Sequence, residues 1–463
     1  MGSLAYYLGM ADLIAPPSSG ALTEAELEQY RAEFGQSPKF VASMNAVCTT
    51  SVEKIALSRK AATKVNNSFS VHLPENPATA QKGSGRCWMF AALNTFRTTA
   101  QKAMNLPEGF ELSQNYTMFW DKLEKANYYL ENILSTLDEP VGSRTLDFLL
   151  AHPIQDGGQW HMFVNLIQKY GVVPKTIMPE TESSSSTGRM NGFITAKLRD
   201  YGCGLRNAAE AGATREQLDE LKNEAMSAVY RMLSIHLGEP PSKFEWQWRD
   251  KDKEFHRDGV ITPQEFYSKY VGYNLDDMVC LIHDPRPHHE YDRVYTVKLL
   301  GNVVGGQIVE YVNVDIETMK QAAISQLKSG EPVWFGCDVG QYLDRDMGVM
   351  DRGLFDYDLV YGVEQTMSKA ERLQYRQSQM THAMVFTGVD LDEHERPRKW
   401  RVENSWSDSP GDKGYFQMSD PWFDEFNFEV VVLKSHVPAQ TLAALGQEPI
   451  ELDPWDPMGS LAL

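Results

Sequence analysis

The sequence predicts an α+β fold in which a helical half carries a reactive cysteine and a later β half supplies its partners. Three observations lead there. Residues 111–175 read as mainly helical, the chain after residue 311 returns repeated short apolar runs of strand length, and a Gly-rich turn, Gln81-Lys82-Gly83-Ser84-Gly85, opens into a helix whose first turn holds Cys87. The rest of the chain can be read as support for that thiol.

Gly83 and Gly85 would relax the backbone just before the helix. Cys87 then sits where unpaired N–H groups and the positive end of the helix dipole favour a thiolate. Gln81 lies six residues upstream, so a chain doubling back through the glycines would set its amide beside the Cys87 N–H. Two such donors cradle an oxyanion. An attacking thiolate also needs a base and a group to orient it. His382 lies in the strand-like run Thr381 to Val389, and Asn404 follows 22 residues later in the run Trp400 to Trp406, as if projected from adjacent strands. The plain alternatives are an inert buried cysteine and a core histidine bonded to a carbonyl; the ordered set of four favours catalysis.

That order, with Gly85-Arg86-Cys87-Trp88, His382-Ala383-Met384 and Glu403-Asn404-Ser405-Trp406, resembles the papain-like cysteine peptidases. More narrowly, the chain resembles the bleomycin hydrolase and aminopeptidase C family from about Phe40 to its end. The shared segments include Asp156-Gly157-Gly158-Gln159-Trp160, Arg249-Asp250-Lys251-Asp252-Lys253, Asp284-Pro285-Arg286-Pro287, Val333 to Gly340 and Trp455-Asp456-Pro457-Met458-Gly459. Two positions depart from the family: Gly83 stands where a small polar residue is common, and Ser407 where glycine follows Asn-Ser-Trp.

The resemblance implies a papain-like helical subdomain and a small β-barrel subdomain, with a large helical or hook insertion and an extended C-terminal arm. Residues 1–70 would form an N-terminal leader and helical segment, 71–180 the helical subdomain, 181–310 the insertion, 311–437 the β subdomain and 438–463 the arm. It further implies a cysteine aminopeptidase acting through an acyl-thioester, with Cys87 as nucleophile, His382 as base and acid, Asn404 orienting it and Gln81 at the oxyanion. Bleomycin and homocysteine thiolactone join peptides as implied substrates, and no metal or organic cofactor is implied. Gly157 and Gly158 match a pair that offers backbone groups to substrate, although two glycines also suit a plain turn. Trp406 would cover the His–Asn hydrogen bond or simply fill the core. The arm, ending at Leu463, would lie in the active-site cleft, its terminal carboxylate meeting a substrate's α-ammonium, with Leu463 open to self-trimming. The hook implies a homohexamer. An endopeptidase, and a nucleic-acid-binding or scaffolding cage with incidental hydrolysis, are the competing readings.

Along the chain, residues 1–20 end in Pro16-Pro17-Ser18-Ser19-Gly20 and read as a mobile leader. Thr23 and Glu26 form a capping box for a helix to about Phe34. Trp160 to Tyr170 reads as a helix stopped by Gly171. Glu182 to Thr187 is Ser-rich and reads as an exposed loop. A helix from about Thr214 would carry Leu218, Leu221, Ala225, Val229 and Met232 on one stripe, ending at Gly238. Ile316 to Lys328 reads as a helix and Pro332 to Val339 as a buried strand. After Val437, a short helical run at Thr441 to Leu445 precedes a Pro-rich extended arm, in which Trp455 and Met458 are costly to leave in water.

Composition narrows the function. Sixty-three acidic against 44 basic residues give a net charge of −19, which repels phosphate backbones and anionic membrane surfaces. The five cysteines are scattered and odd in number, which argues for reduced thiols in a cytosolic compartment and against a zinc site. His283, His288, His289 and Glu290 match no metal-binding spacing. No apolar run approaches membrane-spanning length, and the N-terminus fits neither a signal nor a transit peptide.

Overall fold

The structure, a computed structural model, describes residues 20–461; the leader before Gly20, and Leu463 with its self-trimming, lie outside the described residues. The chain forms two compact units, one made of the segment up to Ala62 with Phe355–Thr366, the other of Thr63–Leu354 with the chain from Met367. In the first unit the helix Glu24–Gly35 begins with its predicted capping box. The Glu26 N–H donates to Thr23 Oγ1 at 3.3 Å and the Thr23 N–H to Glu26 Oε2 at 2.7 Å. A second helix, Pro38–Val47, starts on the Ser37 hydroxyl and on a proline whose missing N–H costs nothing there.

In the second unit the helical half comprises Cys87–Met104, Gln114–Ser135, Arg144–Ala151, Trp160–Tyr170, Gly188–Glu210 and Arg215–Leu237. The strands expected as a small barrel are the central members of a 12-stranded sheet, in which Asn427–Leu433, Val333–Cys337, His382–Leu391, Pro397–Glu403 and Tyr415–Ser419 run side by side, antiparallel. Met278–Ile282 and Arg293–Val297, from the stretch read as an insertion, join the same sheet. Both faces are buried. Trp334, Ala383, Val385 and Val431 pack with the cysteine helix, while Phe335, Met384, Phe386 and Val430 pack into a second cluster with Trp400, Trp422 and Phe423. A sheet covered on both sides has apolar residues at consecutive positions, which is why these strands read as runs and not as alternations.

Several local expectations change. The Ser-rich stretch is not an exposed loop: Thr181 caps a helical turn, Glu182–Ser185, whose Ser184 is buried and donates to Glu180 Oε2 at 2.7 Å. On Arg215–Leu237 the buried stripe is Leu218, Ala225, Val229, Leu233 and Leu237, and Leu221 points outward, because the stripe advances mostly in steps of four. The arm is extended but paired, its Ile450–Leu452 adding a parallel strand beside Arg293–Val297.

One buried acid sets a pH dependence. Glu429 is 2% exposed, its Oε1 has no hydrogen-bond partner, and burial pushes its carboxyl up to about 8. The folded chain therefore holds this proton more tightly than the unfolded chain. The stability it contributes is complete below the ordinary glutamate range near 4.5 and is lost as pH rises toward 8. Across that window the unfolding free energy should fall by about 1.4 kcal/mol per pH unit from this group, and Glu429→Gln should flatten the slope. Urea midpoints at pH 5 and pH 8 decide it; equal slopes for parent and variant would refute the assignment.

Candidate active site

The helix Cys87–Met104 starts without a side-chain cap from Arg86. Arg86 is fully buried and instead pairs with Glu180, its Nη1 and Nη2 donating at 3.0 and 2.6 Å, while its Nε donates to Ser84 Oγ at 2.9 Å. The left-handed residue of the preceding turn is Lys82, at φ +52°, and neither Gly83 nor Gly85 has a positive φ. Gly83 answers to close approach, since a Cβ there would stand 3.3 Å from the Ser185 carbonyl oxygen. The Gly85 N–H is used by Asp156, at 2.9 Å.

Cys87 has no exposed surface. The backbone N–H groups of Cys87, Trp88 and Ala383 bond its sulfur and favour the thiolate. Burial is the larger influence and, with the Asp156 charge nearby, pushes the thiol up to about 12. The thiolate expected from the helix start alone is thus outweighed, and ionisation needs a proton acceptor close by.

His382 opens the strand His382–Leu391 immediately before Ala383, so the residue adjoining it in the chain touches the sulfur. Its Nε2 lies 2.9 Å from Asn404 Oδ1, which also accepts the Ser405 N–H at 2.7 Å. An oxygen accepting there makes Nε2 the protonated nitrogen and leaves Nδ1 as the basic one. Trp406 packs on the imidazole with ring centroids 5.0 Å apart, and the Arg345 guanidinium lies 4.6 Å from the centroid of the indole ring. Ser407 takes φ +71°, the left-handed conformation for which glycine is suited, and holds it with its N–H on the Thr79 carbonyl at 2.9 Å.

Gln81 is tied to the same segment. Its N–H donates to the Ser405 carbonyl at 2.8 Å, its Oε1 accepts the Ser405 hydroxyl at 2.5 Å, and its Nε2 donates to the Ser84 carbonyl at 2.6 Å. The carboxamide is held at both ends.

Gly157 and Gly158 follow Asp156 in a buried turn, and a Cβ on Gly158 would stand 2.5 Å from the Trp88 ring. The Gly157 carbonyl accepts from Lys125 Nζ at 2.6 Å and the Asp156 carbonyl from Trp88 Nε1 at 2.7 Å. Behind the turn lies a hub that sequence reasoning missed. Asp156 accepts from Lys122 Nζ at 2.6 Å, Thr187 Oγ1 at 2.5 Å and Asn191 Nδ2 at 2.7 Å, besides Gly85. Burial opposes its charge, but Lys122 and these donors hold the carboxyl well below the usual range. Lys125 pairs with Asp121 at 2.7 Å, one turn away on the same helix. Asp121, Lys122 and Lys125 look in sequence like a solvated helix face; the available signal was the nearby Asp-Gly-Gly turn.

The arm reaches this region. Gln159 Nε2 donates to the Ser460 carbonyl at 2.6 Å, and the Ser460 hydroxyl donates to the Met380 carbonyl at 2.6 Å. Ser460 thus bridges the residue after Gly158 and the residue two before His382. The histidines near residue 286 have other partners: His283 Nδ1 bonds the Val314 carbonyl at 2.9 Å, and His289 pairs with Asp284.

A thiol at a helix start, with the N–H next to a carboxamide-oriented histidine turned to its sulfur, is the arrangement of a cysteine-type hydrolase. The chain belongs to the Peptidase C1-like family, which matches residues 21–459. It is 43% identical to human bleomycin hydrolase over 454 residues, covering 96% of this chain and all of that protein. Aminopeptidase C of Streptococcus thermophilus is 45% identical over 435 residues, covering 94% of this chain and 98% of that protein. The crystal structure of PepW from Lactobacillus rhamnosis HN001 superposes with a TM-score of 0.94 at 46% identity, covering 96% of this chain and 100% of that one. The protein is therefore a cysteine-type aminopeptidase with a papain-like α+β fold. Among the described residues, no helix is long and apolar enough to cross a membrane.

Proposed function

We propose that the protein removes N-terminal residues from peptides, and cleaves the related amide of bleomycin and the thioester of homocysteine thiolactone, through a Cys87–His382–Asn404 acyl-thioester mechanism. The observation that carries this is the His382 Nε2 to Asn404 Oδ1 bond of 2.9 Å beside a sulfur bonded by the Ala383 N–H. Cys87 Sγ passes its proton to His382 Nδ1 and attacks the scissile carbonyl. The Cys87 N–H and the Gln81 amide receive the oxyanion. His382 then protonates the departing amine, whose loss leaves a thioester, and next draws a proton from water as the water attacks that thioester; the C–S bond breaks, the acid leaves and the Cys87 sulfur takes the proton back from His382. Asn404 keeps the ring aimed throughout, and Trp406 shelters their bond. The Gly157-Gly158 turn, fixed from behind by Lys125, receives the substrate residue before the scissile bond.

The aminopeptidase preference is assigned to the arm. Its support is Ser460, which bridges Gln159 and Met380 on the two sides of the site. There a terminal carboxylate would meet the substrate's α-ammonium and block longer chains. An open endopeptidase would leave that bridge unused. The enzyme is further assigned to the cytoplasm, on its scattered unpaired cysteines, and to a homohexamer, for which outward-facing Phe193, Leu221 and Ile235 on the helices Gly188–Glu210 and Arg215–Leu237 offer apolar contact surface. Nucleic acid is not an expected partner at a net charge of −19.

The test compares a free-amino aminoacyl fluorogenic amide with its N-acetylated twin, on the intact chain and on one ending before Trp455, both checked for folding. Intact protein should cleave only the free-amino substrate and the shortened chain both. Equal cleavage of the pair by intact protein would replace the aminopeptidase gate with an open cleft.

A further inference from the structure

Two segments prominent in the sequence, Asp284-Pro285-Arg286-Pro287 and Trp455-Asp456-Pro457-Met458-Gly459, take no part in the thiol chemistry, and the structure joins them to each other. Asp284 follows the sheet strand Met278–Ile282. Its N–H donates to Asn313 Oδ1 at 2.9 Å and its carbonyl accepts from Asn313 Nδ2 at 3.0 Å, so the loop is fastened to the neighbouring strand Glu310–Asn313. The Asp284 carboxylate, fully buried, accepts from Arg286 Nε at 3.0 and 3.1 Å and from Nη2 at 2.7 Å, and also pairs with His289. That fixes the plane of the guanidinium. Its outer edge then meets the arm, with Nη1 donating to Asp456 Oδ2 at 3.0 Å and Nη2 to Asp456 Oδ1 at 2.7 Å.

Asp456 does a second job. Its Oδ1 accepts the Met458 N–H at 2.9 Å and so caps the helical turn Pro457–Gly459. That turn sets the Met458 carbonyl 3.3 Å from the Tyr311 hydroxyl and delivers Ser460 to Gln159 and Met380. Arg286 and Asp456 side chains are only 10% and 15% exposed, where a two-point charged pair is strong and a partner left alone is costly. The path from sheet to cleft is continuous: Asn313, Asp284, Arg286, Asp456, Ser460.

We propose that Arg286 is the specificity-setting residue of this peptidase: held in plane by Asp284, it clamps Asp456, seats the arm across the cleft, and thereby excludes substrates whose N-terminus is blocked or extended. Arg286 acts through the arm and touches no reacting atom. The inference rests on the arm being the aminopeptidase gate.

Asp456→Asn is the primary test, because it leaves the Arg286–Asp284 pair whole; Arg286→Gln is the companion, and the chain ending before Trp455 the control. The measured quantity is kcat/KM for the N-acetylated substrate divided by that for its free-amino twin. Both substitutions should raise this ratio by about 30-fold or more, toward that of the shortened chain. Amide exchange over Trp455–Leu461 should also quicken in Asp456→Asn, a change that loss of general stability would not confine to the arm. If the shortened chain gains the acetylated substrate while Asp456→Asn keeps the parent ratio, the latch is wrong and the gate survives. If the shortened chain also rejects the acetylated substrate, the gate fails and takes the latch's role in specificity with it.

Discussion

Cys87→Ala should fold as the parent does and lose about 10⁴-fold or more of its turnover of free-amino substrates. The side chain is enclosed and the change removes a single sulfur, so its expected cost in stability is about 1 kcal/mol. Residual turnover above about one part in a hundred of the parent would remove Cys87 from the nucleophile's position. A companion measurement separates the thiol from its base. Burial pushes this thiol up to about 12, so its ionisation at neutral pH depends on a neighbour that takes the proton. In His382→Asn, alkylation of Cys87 by iodoacetamide should therefore be slow at pH 7 and climb with every step of pH toward that value. In the parent, where the proton can pass to His382, alkylation should be appreciable at neutral pH. Identical pH profiles for the two proteins would show that His382 does not control the thiol.

Asp156→Ala should destabilise the protein by about 3–5 kcal/mol, the cost of leaving a buried charge without its partner. Lys122 has no exposed side-chain surface, and Gly85, Thr187 and Asn191 would lose their acceptor together. The loss concerns activity too, because Asp156 fixes both the turn before Cys87 and the Gly157-Gly158 turn. Acid should begin to erode the same stability in the parent. Asp156 is held as a carboxylate well below the usual range, so the stability it supplies is complete above the ordinary aspartate pKa near 4, starts to fall below it and is lost only as pH passes down through the lowered folded-state value. Urea denaturation at pH 7 and pH 3.5 measures both. A variant within about 1 kcal/mol of the parent at pH 7 would reduce the hub to incidental contacts.

Much of this was legible because it is local. Thr23 with Glu26 writes a helix start within four residues, and its capping box is formed, while the helix expected from about Thr214 is capped by that residue. Gly171 and Gly238 end their helices in the same way. The order of Gln81, Cys87, His382 and Asn404 pointed to one place, and the structure brings their segments there. What failed to show in sequence depends on what covers a residue. Asp121, Lys122 and Lys125 carry a surface composition yet are buried, since their ion-pair partners come from one turn away or from the Asp156 loop. Serines at 183–186 suggested solvent, although Ser184 is enclosed and the backbone of Ser185 packs on Gly83. The thiol's ionisation is hidden for the same reason, because a helix start is visible in sequence and the depth of burial is not.

The short ladder between Thr79–Gln81 and Ser405–Ser407 has a kinetic consequence. Two backbone hydrogen bonds and one hydroxyl fasten the segment leading to Cys87 to the segment holding Asn404. In the proposed mechanism the oxyanion donor and the imidazole's orienting group therefore belong to a single moving part. A fluctuation that opens the ladder withdraws both at once, so intermediates with only one of the two functions are scarce. Perturbations of the ladder should lower the fraction of competent molecules, leaving each remaining molecule to work at its full rate.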